Sequence, residues 1–244
     1  MRWKMKRSET GRAEGFGESR AVVLFDVDGT LVDTDGAGRT SFARGLERAT
    51  GVADGLEWVS FAGNTDRNVL RAVEERRGRV FTDGERARIY GCIAEELSAR
   101  LRVTPGRRIA GVERVLVALA ERGAVLGLVT GNFREGARLK LESAGLWHWF
   151  AFGGFGGETA ERADILRAAL AEARRVVGGD PSRVRYVGDT PLDVESGLKA
   201  GVPVLGVAGG RWTAEQLKAA GAEDAAADYA DVEWWVARAL GGGD

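Results

Sequence analysis

The chain of 244 residues carries a formal net charge of −1, with a single cysteine, Cys92, and a single histidine, His148. So balanced a charge offers no electrostatic basis for binding nucleic acid or an anionic membrane, and these two residues alone exclude an internal disulfide, a cysteine-based zinc site and a histidine cluster. The sequence shows no signal peptide and no apolar span of membrane length, so the expectation is a cytoplasmic protein without membrane or nucleic-acid partners.

Residues 1–20 (MRWKMKRSETGRAEGFGESR) are basic, contain glycine and lack an apolar period, which predicts a flexible tail. Val22-Val23-Leu24-Phe25 follows, a continuous apolar run of the kind that forms a parallel strand buried on both faces. It leads straight into Asp26-Val27-Asp28-Gly29-Thr30. Side chains alternate along a strand, so Asp26 and Asp28 face one way and Val27 the other. Gly29 lets the chain turn away just beyond them. Two carboxylates this close repel unless a cation or a shared proton relieves them. The carboxyl ends of strands are also where open α/β sheets place their ligands.

Residues 34–104 read as helical throughout. Phe42, Leu46 and Ala49 mark one helix, Val69, Leu70 and Val73 a second, and Ile89, Ile93, Leu97 and Leu101 a third. Gly51 and Gly78 end the first two, and Asp83 is the expected cap of the third. No strand pattern occurs before Pro105. Beyond Ile109, helices and strands alternate, with strands predicted at 124–129, 150–153, 184–187 and 202–207 and short helices around Leu198, Leu217 and Trp235. Such alternation predicts an α/β fold with a doubly wound, Rossmann-like parallel sheet built from residues 21–33 and 105–244. Residues 34–104 are then a small all-helical domain inserted after the first strand.

Three more stretches carry chemistry. Thr130-Gly131-Asn132 closes the second buried strand, where a hydroxyl and bare backbone N–H groups can approach one anion, although Thr-Gly also makes a plain turn. Gly188-Asp189-Thr190-Pro191-Leu192-Asp193 closes another strand. Pro191 suits the opening of a helix, so Asp193 serves either the site or only the helix dipole. In the helical region, Gly63-Asn64-Thr65-Asp66 forms a loop in which Thr65 and Asp66 also suit the capping of the next helix.

Asp26-Val27-Asp28-Gly29-Thr30 resembles the first motif of the haloacid dehalogenase superfamily, Thr130 its second, and Gly188-Asp189 with Asp193 its fourth, all in family order. The third motif is one cation, often lysine. No lysine lies between Lys140 and Lys199, and among Arg162, Arg167, Arg174, Arg175, Arg183 and Arg185 the choice is Arg162, which follows the glycine-rich stretch 153–157. Residues 34–104 resemble the family's helical cap, with Asn64 where the cap loop often carries arginine.

The resemblance implies a phosphoglycolate phosphatase-like hydrolase that cleaves a small phosphate monoester through an aspartyl-phosphate. It makes Asp26 the nucleophile and Asp28 the general acid and base. Mg2+ would be held by Asp26, the backbone carbonyl of Asp28 and Asp189, with Asp193 behind them. Thr130, Gly131, Asn132 and Arg162 would bind phosphate, and Asn64, Thr65 and Asp66 would select the substrate, a small phosphorylated metabolite. The protein would be a monomer or homodimer. The rival readings are a non-catalytic phospho-metabolite-binding or regulatory protein on the same fold and a dehalogenase. Asp28 opposes the latter, because family dehalogenases generally lack the second acid. With no lysine between Lys6 and Lys140, the cap also lacks the Schiff-base lysine of phosphonate-cleaving relatives.

Overall fold

The computed structural model describes residues 20–53 and 55–241, so the tail expected at 1–20 lies outside it apart from Arg20. Strand β1 (Ala21–Phe25) is the centre of the molecule. Val22, Val23, Leu24 and Phe25 are fully buried. Val23, Phe25 and Val27 join the hydrophobic cluster on one face of the sheet, and Val22 and Leu24 join the cluster on the other. At roughly 1.5–3 kcal/mol for each such side chain, these four contribute on the order of 10 kcal/mol. That is comparable to the backbone entropy of about 1–2 kcal/mol per residue that ordering the strand costs. The residues leaving β1 therefore start from a fixed base.

The remaining core strands are β4 (Val125–Thr130), β5 (Phe152–Phe155), β6 (Arg183–Gly188), β7 (Val204–Val207) and β8 (Asp224–Ala226). They form a six-stranded sheet in the order β5-β4-β1-β6-β7-β8, and each neighbouring pair is parallel. Helices α4 (Val112–Glu121), α5 (Arg134–Ser143) and α9 (Val232–Leu240) cover one face. Helices α6 (Arg162–Val177), α7 (Pro191–Ala200) and α8 (Ala214–Ala219) cover the other. This is the doubly wound α/β sheet that the alternation predicts. The chain builds outward from β1 to β4 and β5, then returns past β1 to begin β6. The switch in direction opens a crevice at the carboxyl ends of β4, β1 and β6.

Four short or shifted elements differ from expectation. β8 has only three residues, with little apolar pattern to announce it. The strand predicted at 150–153 starts at Phe152, because Trp147–Trp149 form a turn of 3-10 helix first. Two-residue strands β2 (Val32–Asp33) and β3 (Arg107–Arg108) pair antiparallel, although no strand was expected beside either. They tie together the two chain passages that lead into and out of the helical segment.

That segment holds α1 (Ala37–Thr50), α2 (Asp66–Arg77) and α3 (Asp83–Val103) around a third cluster that includes Phe42, Leu46, Val69, Leu70, Ile89 and Ile93. Asp83 is not the cap of α3. Thr82 is: its hydroxyl accepts from the Glu85 N–H while the Glu85 carboxylate accepts from the Thr82 N–H, a reciprocal pair that satisfies two end donors. α1 and α3 approach closely at Gly45, where a Cβ would lie 2.5 Å from the backbone N and Cα of Ile93.

The helical segment is pinned to the sheet by its 65–68 turn. The Asp66 N–H donates to Gly131 O at 2.8 Å and the Arg67 N–H to Gly156 O at 2.9 Å. Thr65 Oγ1 and Asn68 Nδ2 both donate to Ala160 O, and Tyr90 OH donates to Gly157 O at 2.6 Å. In return the Phe133 N–H donates to Asp66 Oδ2 at 2.7 Å, and the Phe133 ring stacks on Tyr90.

Two outcomes follow from this packing. Gly45→Ala gains helix propensity of about 1 kcal/mol but drives a methyl into rigid backbone, an overpacking that costs about 1–3 kcal/mol. The contact is with backbone that cannot rotate away, so a net loss is expected, read as a lower Tm and faster proteolysis within residues 34–104. A Tm at or above wild type would show that α1 and α3 can separate without penalty. For Asp66, burial pushes the carboxyl up to about 6, against the pull of Lys140 and the Phe133 N–H. The folded protein thus holds this proton more tightly than the unfolded chain, so the stability it contributes is present below about pH 4 and lost as pH rises through about 6. Asp66→Asn keeps an acceptor for Phe133 without the buried charge. Its Tm should exceed that of wild type at pH 8 and match it near pH 4; a lower Tm at pH 8 would reverse the sign.

Candidate active site

Asp26 leaves β1 with its N–H donating to Val187 O at 2.9 Å, which continues the ladder one residue past the strand. Its side chain is buried, Val27 turns back into the core, and Asp28 turns outward with its side chain 45% exposed. Gly29 has φ +83°, and a Cβ there would fall on the Asp189 carboxylate. Only glycine permits both the turn and the close approach. Thr30 Oγ1, just beyond, donates to Asp189 Oδ1 at 3.1 Å. The turn therefore brings Asp189, from the end of β6, against the two acids of β1.

Asp26, Asp189 and Asp193 can place one carboxylate oxygen each within 4.8 Å of one another. Burial first, then the charge of Asp193, raises both Asp26 and Asp189 well above the ordinary carboxylate range. Asp193 differs from the other two in being saturated. Its Oδ1 accepts from Tyr186 OH at 2.6 Å and from Arg162, and its Oδ2 accepts from the Thr190 N–H at 3.0 Å and Thr190 Oγ1 at 2.7 Å. It thus caps α7 and anchors Arg162 at once. Asp26 and Asp189 retain free lone pairs. Two hard, anionic oxygen donors that repel each other suit a small divalent cation such as Mg2+.

Arg162 is the first residue of α6, and its side chain is 10% exposed. It pairs with Asp193, donates to Tyr186 OH at 3.1 Å and stands 3.5 Å from Asp26 Oδ1. Thr130 is buried at the end of β4. Gly131 has no room for a side chain, since a Cβ would meet the Asn64 carbonyl and the Arg162 guanidinium. Asn132 spends its amide inside the protein: Nδ2 donates to Asp28 Oδ2 at 2.7 Å and to Thr130 Oγ1 at 2.8 Å.

The residues expected to select substrate divide. Asn64 and Asp66 line the cavity, whereas Thr65 faces the cleft beside Ala160 and its hydroxyl caps α2. The Asn64 side chain is folded onto its own loop, donating to Ser60 O and accepting from the Thr65 N–H. The cavity holds about 480 Å³. Asp26, Asp28, Thr130, Arg162 and Asp189 form its sheet end, and Arg39, Phe42, Phe61, Val69 and Ile93 form its helical end.

Sequence reading missed one residue here. Lys140 is only 5% exposed, and its Nζ donates to Asp28 Oδ2 and to Asn132 Oδ1, each at 2.6 Å. It lies just ahead of the stretch, from there to Lys199, in which the third-motif cation is expected. The signal was nevertheless present, because Lys140 occupies the same stripe of α5 as buried Gly136, Ala137 and Leu141, where a solvated lysine has no reason to stand.

The chain is similar to several known proteins. The chain is 30% identical over 241 residues to a phosphoglycolate phosphatase of Rhodospirillum rubrum, covering 91% of this chain and 93% of that protein. It is 26% identical over 194 residues to a phosphoglycolate phosphatase of Mesorhizobium japonicum, covering 78% and 83%. Its fold is similar to that of CbbY from Rhodobacter sphaeroides in complex with xylulose-(1,5)bisphosphate, with a TM-score of 0.67 over 87% of this chain and 96% of that one at 19% identity. The family model for haloacid dehalogenase-like hydrolases matches residues 23–207, from β1 through β7, and the chain belongs to that family.

Proposed function

We propose that the protein is a Mg2+-dependent phosphatase that hydrolyses a small phosphate monoester in two steps. The observation that carries this reading is the division of labour between the two acids of β1. Asp26 is buried beside Asp189, while Asp28 faces the cavity on a separate hydrogen-bonded support. In the first step an oxygen of Asp26 bonds to phosphorus as the ester P–O bond breaks, and Asp28 gives its proton to the departing oxygen. In the second, Asp28 takes a proton from the water whose oxygen bonds to phosphorus, and the Asp26–phosphorus bond breaks. Thr130, the Gly131 N–H and Arg162 surround the phosphoryl oxygens, whereas the Asn132 amide is committed to Asp28, Thr130 and Lys140. When bound, Mg2+ supplies positive charge that offsets the carboxylates and the phosphoryl group; Asp26, Asp189 and the Asp28 carbonyl would hold it. The 480 Å³ cavity suits a small phosphorylated molecule, in keeping with the names of the relatives. Asn64 and Asp66, at its helical end, would bear on which one. The reading places the protein in the cytoplasm, as monomer or homodimer.

The test separates the two acids. Asp26→Asn should lose both turnover and any acid-stable phosphoryl label. Asp28→Asn should lose about 10²–10⁴-fold in turnover of alkyl phosphates, yet with p-nitrophenyl phosphate it should carry one phosphoryl group on the peptide containing Asp26. Label on another residue, or wild-type turnover by Asp26→Asn, would remove Asp26 as nucleophile. Excess chelator should abolish activity and Mg2+ restore it. Ca2+, which accepts both oxygens of a carboxylate, should inhibit by occupying the attacking oxygen; equal rates with both ions would defeat that geometric argument.

A further inference from the structure

We propose that Lys140 is a positioning residue for Asp28, holding its carboxylate in the one orientation that serves proton transfer; the proposal rests on the phosphatase reading above. A buried ammonium is costly unless it is paired, and two of Lys140's three donors are held in a closed polar triangle. Lys140 Nζ donates to Asp28 Oδ2 and Asn132 Oδ1, and Asn132 Nδ2 donates to the same Asp28 Oδ2. Both donors therefore converge on one oxygen of Asp28. Among the described residues no hydrogen bond reaches the other, Oδ1, which is the oxygen left to carry a proton.

Lys140 is also separated from the phosphoryl side of the site. Arg162 serves Asp26 and Asp193, whereas Lys140 pairs with Asp28. The helical segment closes over it. A Cβ on Gly38, in the first turn of α1, would come within 3.1 Å of Nζ and 3.3 Å of Cε. The carboxylate of Asp66 also feels its charge. Lys140 thus acts where core and helical segment meet. It neither gains nor loses a proton in the cycle: the proton passes from Asp28 Oδ1 to the leaving oxygen in the first step and from water to Oδ1 in the second. A positioned acid must lie within hydrogen-bond reach of that leaving oxygen, and a carboxylate freed to rotate loses that placement for most of the time.

Two aryl phosphates of similar size make the test, because phenoxide needs a proton on leaving far more than p-nitrophenoxide does. Phosphoenzyme formation is followed by rapid quench with Mg2+ present. Lys140→Met should slow it about tenfold or more with phenyl phosphate and less than about threefold with p-nitrophenyl phosphate, with inhibition by inorganic phosphate changed less than about twofold. In an Asp28→Asn background the same substitution should add less than about twofold, since residues acting through one group are not additive. Equal slowing of both esters, weakened phosphate inhibition, or a full loss persisting in the Asp28→Asn background would each overturn the proposal. Should Lys140→Met fail to fold, Asn132→Ala removes the other donor to Oδ2 and must show the same contrast between esters; without it the proposal falls. Absence of both phosphate release from the wild-type protein and phosphoenzyme in Asp28→Asn with p-nitrophenyl phosphate would instead overturn the phosphatase reading on which the proposal stands.

Discussion

Asp26, Asp28, Asp189 and Asp193 converge on the exit of one strand, and the repulsion among them is the constraint the rest of the site answers. Carboxylates in a poorly solvated crevice either take up protons or meet positive charge. The chain provides two cations from opposite directions: Arg162 enters from the start of α6 on the side of Asp26 and Asp193, and Lys140 enters from α5 on the side of Asp28. Between them remain the free oxygens of Asp26 and Asp189, still well above the ordinary carboxylate range. The proposed divalent cation would offset that repulsion.

Such an arrangement persists only on a rigid support. β1 is sealed on both faces and paired on both edges, so the acids at its end cannot relax apart. Tyr186 extends this support from the neighbouring strand. Its ring packs in the second cluster while its hydroxyl donates to Asp193 and accepts from Arg162. One buried side chain thereby links hydrophobic packing to the electrostatics of the site.

The loops that frame the proposed phosphoryl pocket also hold the helical segment. Gly131 O accepts from Asp66, Gly156 O from Arg67 and Gly157 O from Tyr90, each bond worth on the order of 1 kcal/mol net. Loops that carry a ligand and a covering segment together are not independent of either. Displacing the helices frees the backbone of 131–133, and ordering that backbone favours the helices in return. Water exclusion and the proposed phosphate binding would therefore be linked through a handful of hydrogen bonds to these loop carbonyls.

Much of this was legible in order along the chain. The apolar run of 22–25 and the two-residue alternation of Asp26 and Asp28 are local facts, and strand geometry alone gives them one orientation. Helical periodicity over 34–104 and strand–helix alternation beyond Ile109 likewise declare themselves over short windows. Partnerships across the fold do not. Lys140 reaches Asp28 over 112 positions, and nothing near either residue signals the other beyond a lysine on an apolar stripe. The pairing of Val32-Asp33 with Arg107-Arg108 joins four residues that lack any strand pattern of their own. Asp193 takes both of the roles its position allows because Tyr186 and Arg162 arrive beside it from separate elements. Sequence alone determined which chemical groups stand at the strand ends, because backbone periodicity is set by neighbours. Tertiary structure alone decided which cation answers which carboxylate, because charge pairing depends on distance in space and not on distance along the chain.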